Sequence, residues 1–152
     1  MQIDIQLLHP DAKVPEYATP GAAAFDLRAV IDPDKTLHPR RRAIRPGEML
    51  EVNTGVAFEI PLGWGLFLLS RSGHGKKHGI RLGNCVGLGD PDYRGAITVL
   101  LRNDSRETFF VNHGDRLCQA VVMPAPRCTF TVREKLQETE RGAGGLGSTG
   151  VA

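Results

Sequence analysis

Apolar residues along this chain come in short pulses rather than in long helical stripes. Ile3-Asp4-Ile5-Gln6-Leu7 alternates with period two, the pattern of a strand with one buried face. Leu50 to Ile60 alternates more loosely and is stopped by Pro61-Leu62-Gly63. Trp64 to Leu69 is an unbroken apolar run of strand length, which predicts a strand covered on both faces. Ala96 to Leu101, Thr108 to Val111, Leu117 to Met123 and Cys128 to Val132 complete the predicted strands. Clusters of Gly, Pro, Asn and Asp separate them at the intervals of a sandwich or barrel. Only Arg133 to Arg141 has a helical pattern, and it is too polar to be a core helix. The expectation is one all-β domain over residues 1–139. A glycine-rich arm, 140–152, follows it with almost nothing to bury and is expected to be mobile in isolation.

Composition agrees with this reading. Eighteen glycines and ten prolines in 152 residues argue against helical bundles. Nineteen basic against seventeen acidic residues give a net charge of +2, too weak a field for a nucleic-acid footprint. The basic residues are mostly arginine, and His38 to Pro46 holds four of them (Arg40, Arg41, Arg42 and Arg45), which reads as a solvated basic loop. The first residues lack an apolar signal core, and no stretch reaches the ~20 apolar residues of a membrane helix. Cys85, Cys118 and Cys128 show no paired spacing, so they are expected to be buried thiols in a reducing compartment, the cytoplasm.

Three segments carry candidate chemistry. Gly142 to Gly147 formally matches G-x-G-x-x-G, but the chain ends five residues later, so no Rossmann unit can follow. What remains is backbone N–H groups between Arg141 and Ser148-Thr149, donors suited to a phosphate chain. The second segment is Gly83 to Gly95, read as a long hairpin between two strands. In it Asn84 offers a donor and an acceptor, Tyr93 a ring face, and Asp90 or Asp92 a base. The third is Ser70-Arg71-Ser72-Gly73, an anion site at a strand end. His74 and His78 beyond it are four apart, but glycines at 73, 75 and 79 argue against a helix there and hence against a zinc pair.

Five segments in order resemble the five motifs of the trimeric dUTPases (deoxyuridine 5′-triphosphate nucleotidohydrolases). They are Ala23-Ala24-Phe25-Asp26-Leu27, Arg71-Ser72-Gly73, Gly83-Asn84 through Asp90 to Gly95, Gly114 to Gln119, and Arg141 to Gly150. Fourteen of the eighteen glycines fall in or beside these motifs. The resemblance implies a jelly-roll-like β-sandwich or barrel, assembled as a homotrimer with active sites at subunit interfaces. The implied reaction is Mg²⁺-assisted water attack on the α-phosphorus of dUTP, giving dUMP and pyrophosphate. It would supply dUMP for thymidylate synthesis and keep uracil out of DNA. By the same resemblance Asp90 is the general base, while Arg71 and Gln119 complete the catalytic set. Ser72 and Gly73 hold phosphate oxygens, Asn84 and Gly87 read the uracil edge, and Tyr93 packs on the deoxyribose. Arg141, Leu146, Gly147, Ser148 and Thr149 close over the substrate, and Asp26 reaches the metal through water.

The chain departs from the family pattern at four positions. Ser70 stands where the family usually has proline, Gly89 where it has a branched aliphatic residue, and Pro91 follows Asp90. Leu146 stands where the arm usually supplies a phenylalanine to stack on uracil, an interaction worth about 1–3 kcal/mol. A nucleotide-sensing protein with weakened catalysis, or a dCTP deaminase-like enzyme, are the alternatives. Ammonia release from dCTP would mark the second.

Overall fold

The computed structural model describes residues 1–33, 40–146 and 148. Among these residues, twelve strands and one short helix make up the regular structure. In order the strands are β1 (Asp4–Leu7), β2 (Glu16–Tyr17), β3 (Phe25–Arg28), β4 (Arg41–Ile44), β5 (Met49–Asn53), β6 (Val56–Glu59) and β7 (Trp64–Ser70). Helix α1 (Ser72–His78) precedes β8 (Ile80–Leu82), β9 (Gly87–Gly89), β10 (Thr98–Asn103), β11 (Phe109–Asn112) and β12 (Arg116–Pro124). The largest sheet runs β2-β3-β12-β7-β9, and every pair in it is antiparallel. Against it stand a β5-β10-β8 sheet and the pairs β1-β6 and β11-β4. The fold is an all-β, jelly-roll-like sandwich, and the described strands do not close into a barrel.

The core forms where the inward residues of these sheets meet. Leu66 and Leu68 of β7, Leu27 of β3, Val99 and Leu101 of β10, and Ala120 of β12 are all buried. Each fully buried leucine or valine contributes about 1.5–3 kcal/mol over its exposed state. Besides Asp26, two polar side chains are buried among the described residues and both are bonded. Asn103 donates to the carbonyls of Ile44 and Glu107 at 2.8 and 2.7 Å and accepts from Ser105. Thr54 donates to the Ile97 carbonyl at 2.8 Å.

Several expectations need correction. The run Trp64 to Leu69 is covered on one face only. Leu66 and Leu68 point into the core, whereas Phe67 is half-buried and Leu69 is 38% exposed. The basic stretch is not a solvated loop from Arg40 onward. Arg41 to Ile44 form β4, Arg41 lies 3.5 Å over the Phe110 ring, and Arg40 bonds Asp11 and the Ile31 carbonyl; His38 lies outside the described residues. Cys128 to Val132 is not a strand. Phe130 and Val132 are more than 90% exposed, because no described strand edge lies beside them. Arg133 to Arg141 is not helical either; so short a polar segment with nothing to pack against stays below the length at which helices persist.

A helix does form where glycines argued against one. Gly73 and Gly75 each cost about 1 kcal/mol relative to alanine. His74 and His78, one turn apart, offset that cost by packing on Phe109 of β11, with ring centroids 5.6 and 5.3 Å away. Lys76, Lys77 and His78 lie at the favourable C-terminal end, and Gly79 closes the helix in the left-handed conformation.

Of the three cysteines only Cys118 is buried. Burial pushes its thiol up to about 12, and the Asp26 carboxylate adds to the shift. A thiol-disulfide reagent at neutral pH should therefore modify Cys85 rapidly and Cys118 only after unfolding. Peptide mapping checks this, and rapid labelling of native Cys118 would contradict it.

Candidate active site

Two clusters gather most of the residues singled out above. The first lies on strands β3, β12 and β7. Asp26 faces Gln119 directly across the β3–β12 pair, and Ser70 faces Cys118 across β12–β7, which sets Arg71 beside both. The Asp26 carboxylate is only 7% exposed and is held by two guanidinium groups. Arg71 Nε lies 3.3 Å from Oδ1, and Arg116 donates to Oδ2 at 3.1 Å. Oδ1 makes no hydrogen bond of good geometry. Arg71 caps α1 from extended backbone, and Ser72 and Gly73 form the exposed first turn after it. Ser70 has a structural use that a proline side chain could not fill: its hydroxyl accepts the Leu82 N–H at 2.9 Å and ties β7 to β8.

The second cluster surrounds β9. The expected long hairpin is broken into two partnerships, since β8 pairs with β10 while β9 pairs with β7. A pocket of about 260 Å³ results, lined by Asn84, Gly87, Asp90 and Tyr93 together with Leu68 and Thr98. Gly87 is required for β9 to lie this close to β7, because a Cβ there would sit 2.8 Å from Leu68 Cδ1. Gly95 is required by the tyrosine, whose hydroxyl stands 2.3 Å from the place of a Cβ and donates to the Ala96 carbonyl at 3.3 Å. Asp90 follows β9 and opens a turn closed by the Tyr93 N–H on the Asp90 carbonyl, with Pro91 in the position where its fixed φ suits such a turn. At Gly89 a side chain would press on Leu66, 3.2 Å from its Cβ, so the core leaves little room for a branched residue.

Asn84 presents its amide at the rim through an unusual backbone. Cys85 has φ of +64°, and the Val86 N–H reaches the Asn84 carbonyl at 2.7 Å, a tight γ-turn. A non-glycine residue there stores about 1–2 kcal/mol.

The arm forms a third, separate piece. Arg141 is exposed and donates to its own arm's carbonyls, to Gly144 at 3.0 Å and to Gly145 at 3.2 Å. Leu146 is fully exposed and Ser148 donates its N–H to the Gly145 carbonyl. Gly147 and Thr149 lie outside the described residues.

The sequence model of the dUTPase family matches residues 10–150. The chain belongs to the dUTPase family. A deoxyuridine 5′-triphosphate nucleotidohydrolase of Desulfitobacterium hafniense is 45% identical over 92% of this chain and 89% of its own length. Another from Paraburkholderia phymatum is 42% identical over 99% of both chains. The fold is shared with a mutant dUTPase of Staphylococcus bacteriophage 80alpha solved with dUpNHpp, with a TM-score of 0.85 at 22% identity over 99% of both chains. A phage phi11 dUTPase mutant described as revealing the coordination of a structural Mg(II) ion gives a TM-score of 0.76 at 22% identity, over 89% of this chain.

Set against the dUTPase motifs, the geometry brings Asp26, Arg71 and Gln119 together, and separately Asn84, Gly87, Asp90 and Tyr93. It does not bring Arg141 to either group. Sequence reasoning missed Arg116, the second cation on Asp26, although it stands inside the fourth motif. It also missed Thr98 of the pocket wall, which no motif marks.

Replacing Cys85 by glycine should relieve the positive-φ strain and stabilise the protein by about 1 kcal/mol, a rise of a few degrees in Tm. Calorimetry checks this, and a lower Tm would show that the thiol itself makes a stabilising contact.

Proposed function

We propose that this protein hydrolyses dUTP to dUMP and pyrophosphate, working in the cytoplasm as a homotrimer whose active sites are shared between subunits. The observation that carries the reading is the 260 Å³ pocket, in a chain of this family, where an amide, a carboxylate and a phenol ring converge. Asn84 and the backbone of β9 read the uracil edge, and a ring the size of Tyr93 leaves no space for a 2′-hydroxyl. Asp90 takes a proton from the attacking water as its oxygen bonds the α-phosphorus. The bond to the bridging oxygen then breaks and pyrophosphate leaves.

Arg71, Ser72 and Gln119 hold phosphate oxygens in this reading. Charge neutralisation of this kind, rather than covalent chemistry, is what phosphoryl transfer demands. A bound Mg²⁺ would supply further neutralisation of the triphosphate. Among the described residues no three or more His, Cys, Asp or Glu side chains converge, so its inner ligands would be phosphate and water. Asp26 Oδ1, buried and without a hydrogen-bond donor of good geometry among the described residues, would accept from a metal-bound water.

Distance supports sharing between subunits. Gly89, next to Asp90, faces Leu66, whereas Arg71 follows the other end of the same strand. Five residues of strand separate them, roughly 16 Å. In this reading the base and phosphate groups of one chain stand apart, and a neighbour's Arg71 completes the site. The apolar outer residues Phe67 and Leu69, with Phe130, Val132 and Leu136, give such a neighbour something to cover. Residues 140–152 act as an arm that closes over bound substrate, with Arg141, Ser148 and Thr149 on the γ-phosphate, and so excludes water.

The deciding assay is pyrophosphate release from dUTP, with UTP, dCTP and dTTP as controls, with and without Mg²⁺. Turnover of dUTP alone is expected; ammonia release from dCTP, or binding without turnover, would overturn the reading. Asp90→Asn should lower kcat by about 10²–10⁴ while leaving nucleotide affinity nearly unchanged. Leu146→Phe should lower KM or raise kcat by about tenfold through base stacking. Steady-state kinetics of the two variants tests both roles, and near-normal turnover by Asp90→Asn would remove Asp90 as the base.

A further inference from the structure

Arg71 has a second partner that the reading above does not use. Its Nη1 lies 3.0 Å from Nε2 of His74, one helical turn further along α1. A guanidinium only donates, so Nε2 must be the acceptor and the ring must be neutral with its proton on Nδ1. That Nδ1 is buried and has no hydrogen-bond partner among the described residues, so the bond to Arg71 is the one that orients the ring. The Phe109 ring meets the imidazole at 62°, 5.6 Å between centroids, and holds its plane. Asp26 lies on the other side of the same guanidinium, with Oδ1 3.3 Å from Nε. Arg71 is thus gripped from two sides, by a carboxylate on β3 and an imidazole on α1.

The groups that act on His74 come from every element around it. Arg71 and His78 flank it on its own segment, Arg116 and Asp115 approach from β12 and the turn before it, and Phe109 is uncharged. Burial, together with Arg71, His78 and Arg116, outweighs Asp115, so the imidazole is held below its ordinary value of 6.5.

We propose that His74 is the positioning residue for Arg71: the neutral imidazole fixes the guanidinium in place for phosphate, and protonation releases it. The inference rests on Arg71 being a phosphate-holding group. Protonated, the ring has two N–H donors and no lone pair, and it repels the arginine it had held. The fixed arginine therefore persists above the folded-state pKa of His74 and is lost as the pH falls through it, in the acid range below 6.5.

The test compares wild type, His74→Leu and His74→Gln by kcat/KM for dUTP between about pH 5 and pH 8. Wild type should lose activity along an acid limb approaching tenfold per pH unit. His74→Leu should lose about tenfold at neutral pH and lack that limb. His74→Gln, whose amide oxygen accepts the same bond without titrating, should recover to within about threefold and also lack the limb. His74→Leu with wild-type kcat/KM and an unchanged limb would overturn the proposal. A second arm needs no turnover: the His74 pKa is read by NMR in the substrate-free protein and again in Arg71→Gln. Removing the cation should raise it, and an unchanged value would also overturn the proposal. This arm still decides if dUTP is not turned over at all, or if His74→Leu does not fold.

Discussion

A buried carboxylate that two arginines neutralise holds the working end of this molecule together. Asp26 is almost inaccessible, and an isolated charge in that position would cost several kcal/mol. Arg71 and Arg116 remove that cost, and each arrives from a different element, so the ion pairs tie β3, the start of α1 and β12 at one point. Cys118 next to Gln119 feels the same charge, which helps to keep its thiol protonated. Loss of either arginine would strand part of a negative charge in the sheet. Arrangements of this kind are more sensitive to losing one partner than to losing the whole group.

Strand pairing does the rest of the placement. β7 lies between β12 and β9, antiparallel to both. The Ser70 end leads into Arg71, and the Trp64 end lies beside Asp90. This pairing holds the Asp26–Arg71 cluster and the pocket around Asp90 at opposite ends of one strand.

The alternating and continuous apolar runs made β1, β7, β10, β11 and β12 legible in the sequence, since their burial follows from the side chains alone. The motifs singled out Asp26, Arg71 and Gln119, which the fold gathers around β3 and β12, and Asn84, Gly87, Asp90 and Tyr93, which it gathers around β9. Strands β3, β4, β8 and β9 were not legible as strands, because they are short and their character comes from partners. Arg41 and Arg42 look like solvent residues until Phe110 and β11 are beside them. The helix at Ser72 was misread for a related reason: its glycines act locally, whereas Phe109, more than thirty residues away, supplies the packing. At the other end Phe130 and Val132 have a strand's composition, and the described chain gives them no edge to join.

The self-bonded Arg141 has a consequence for the shape of the arm. Through Nε and Nη2 its guanidinium holds two carbonyls of its own segment and folds residues 141–145 back on themselves. Arginine carries five N–H donors, so among the described residues the remaining donors stay available to another acceptor without breaking that turn. Hydrogen bonds to a charged oxygen are roughly twice as strong as those to a neutral one. The same side chain thus shapes its own backbone and keeps an outward-facing set of donors best matched to an anion.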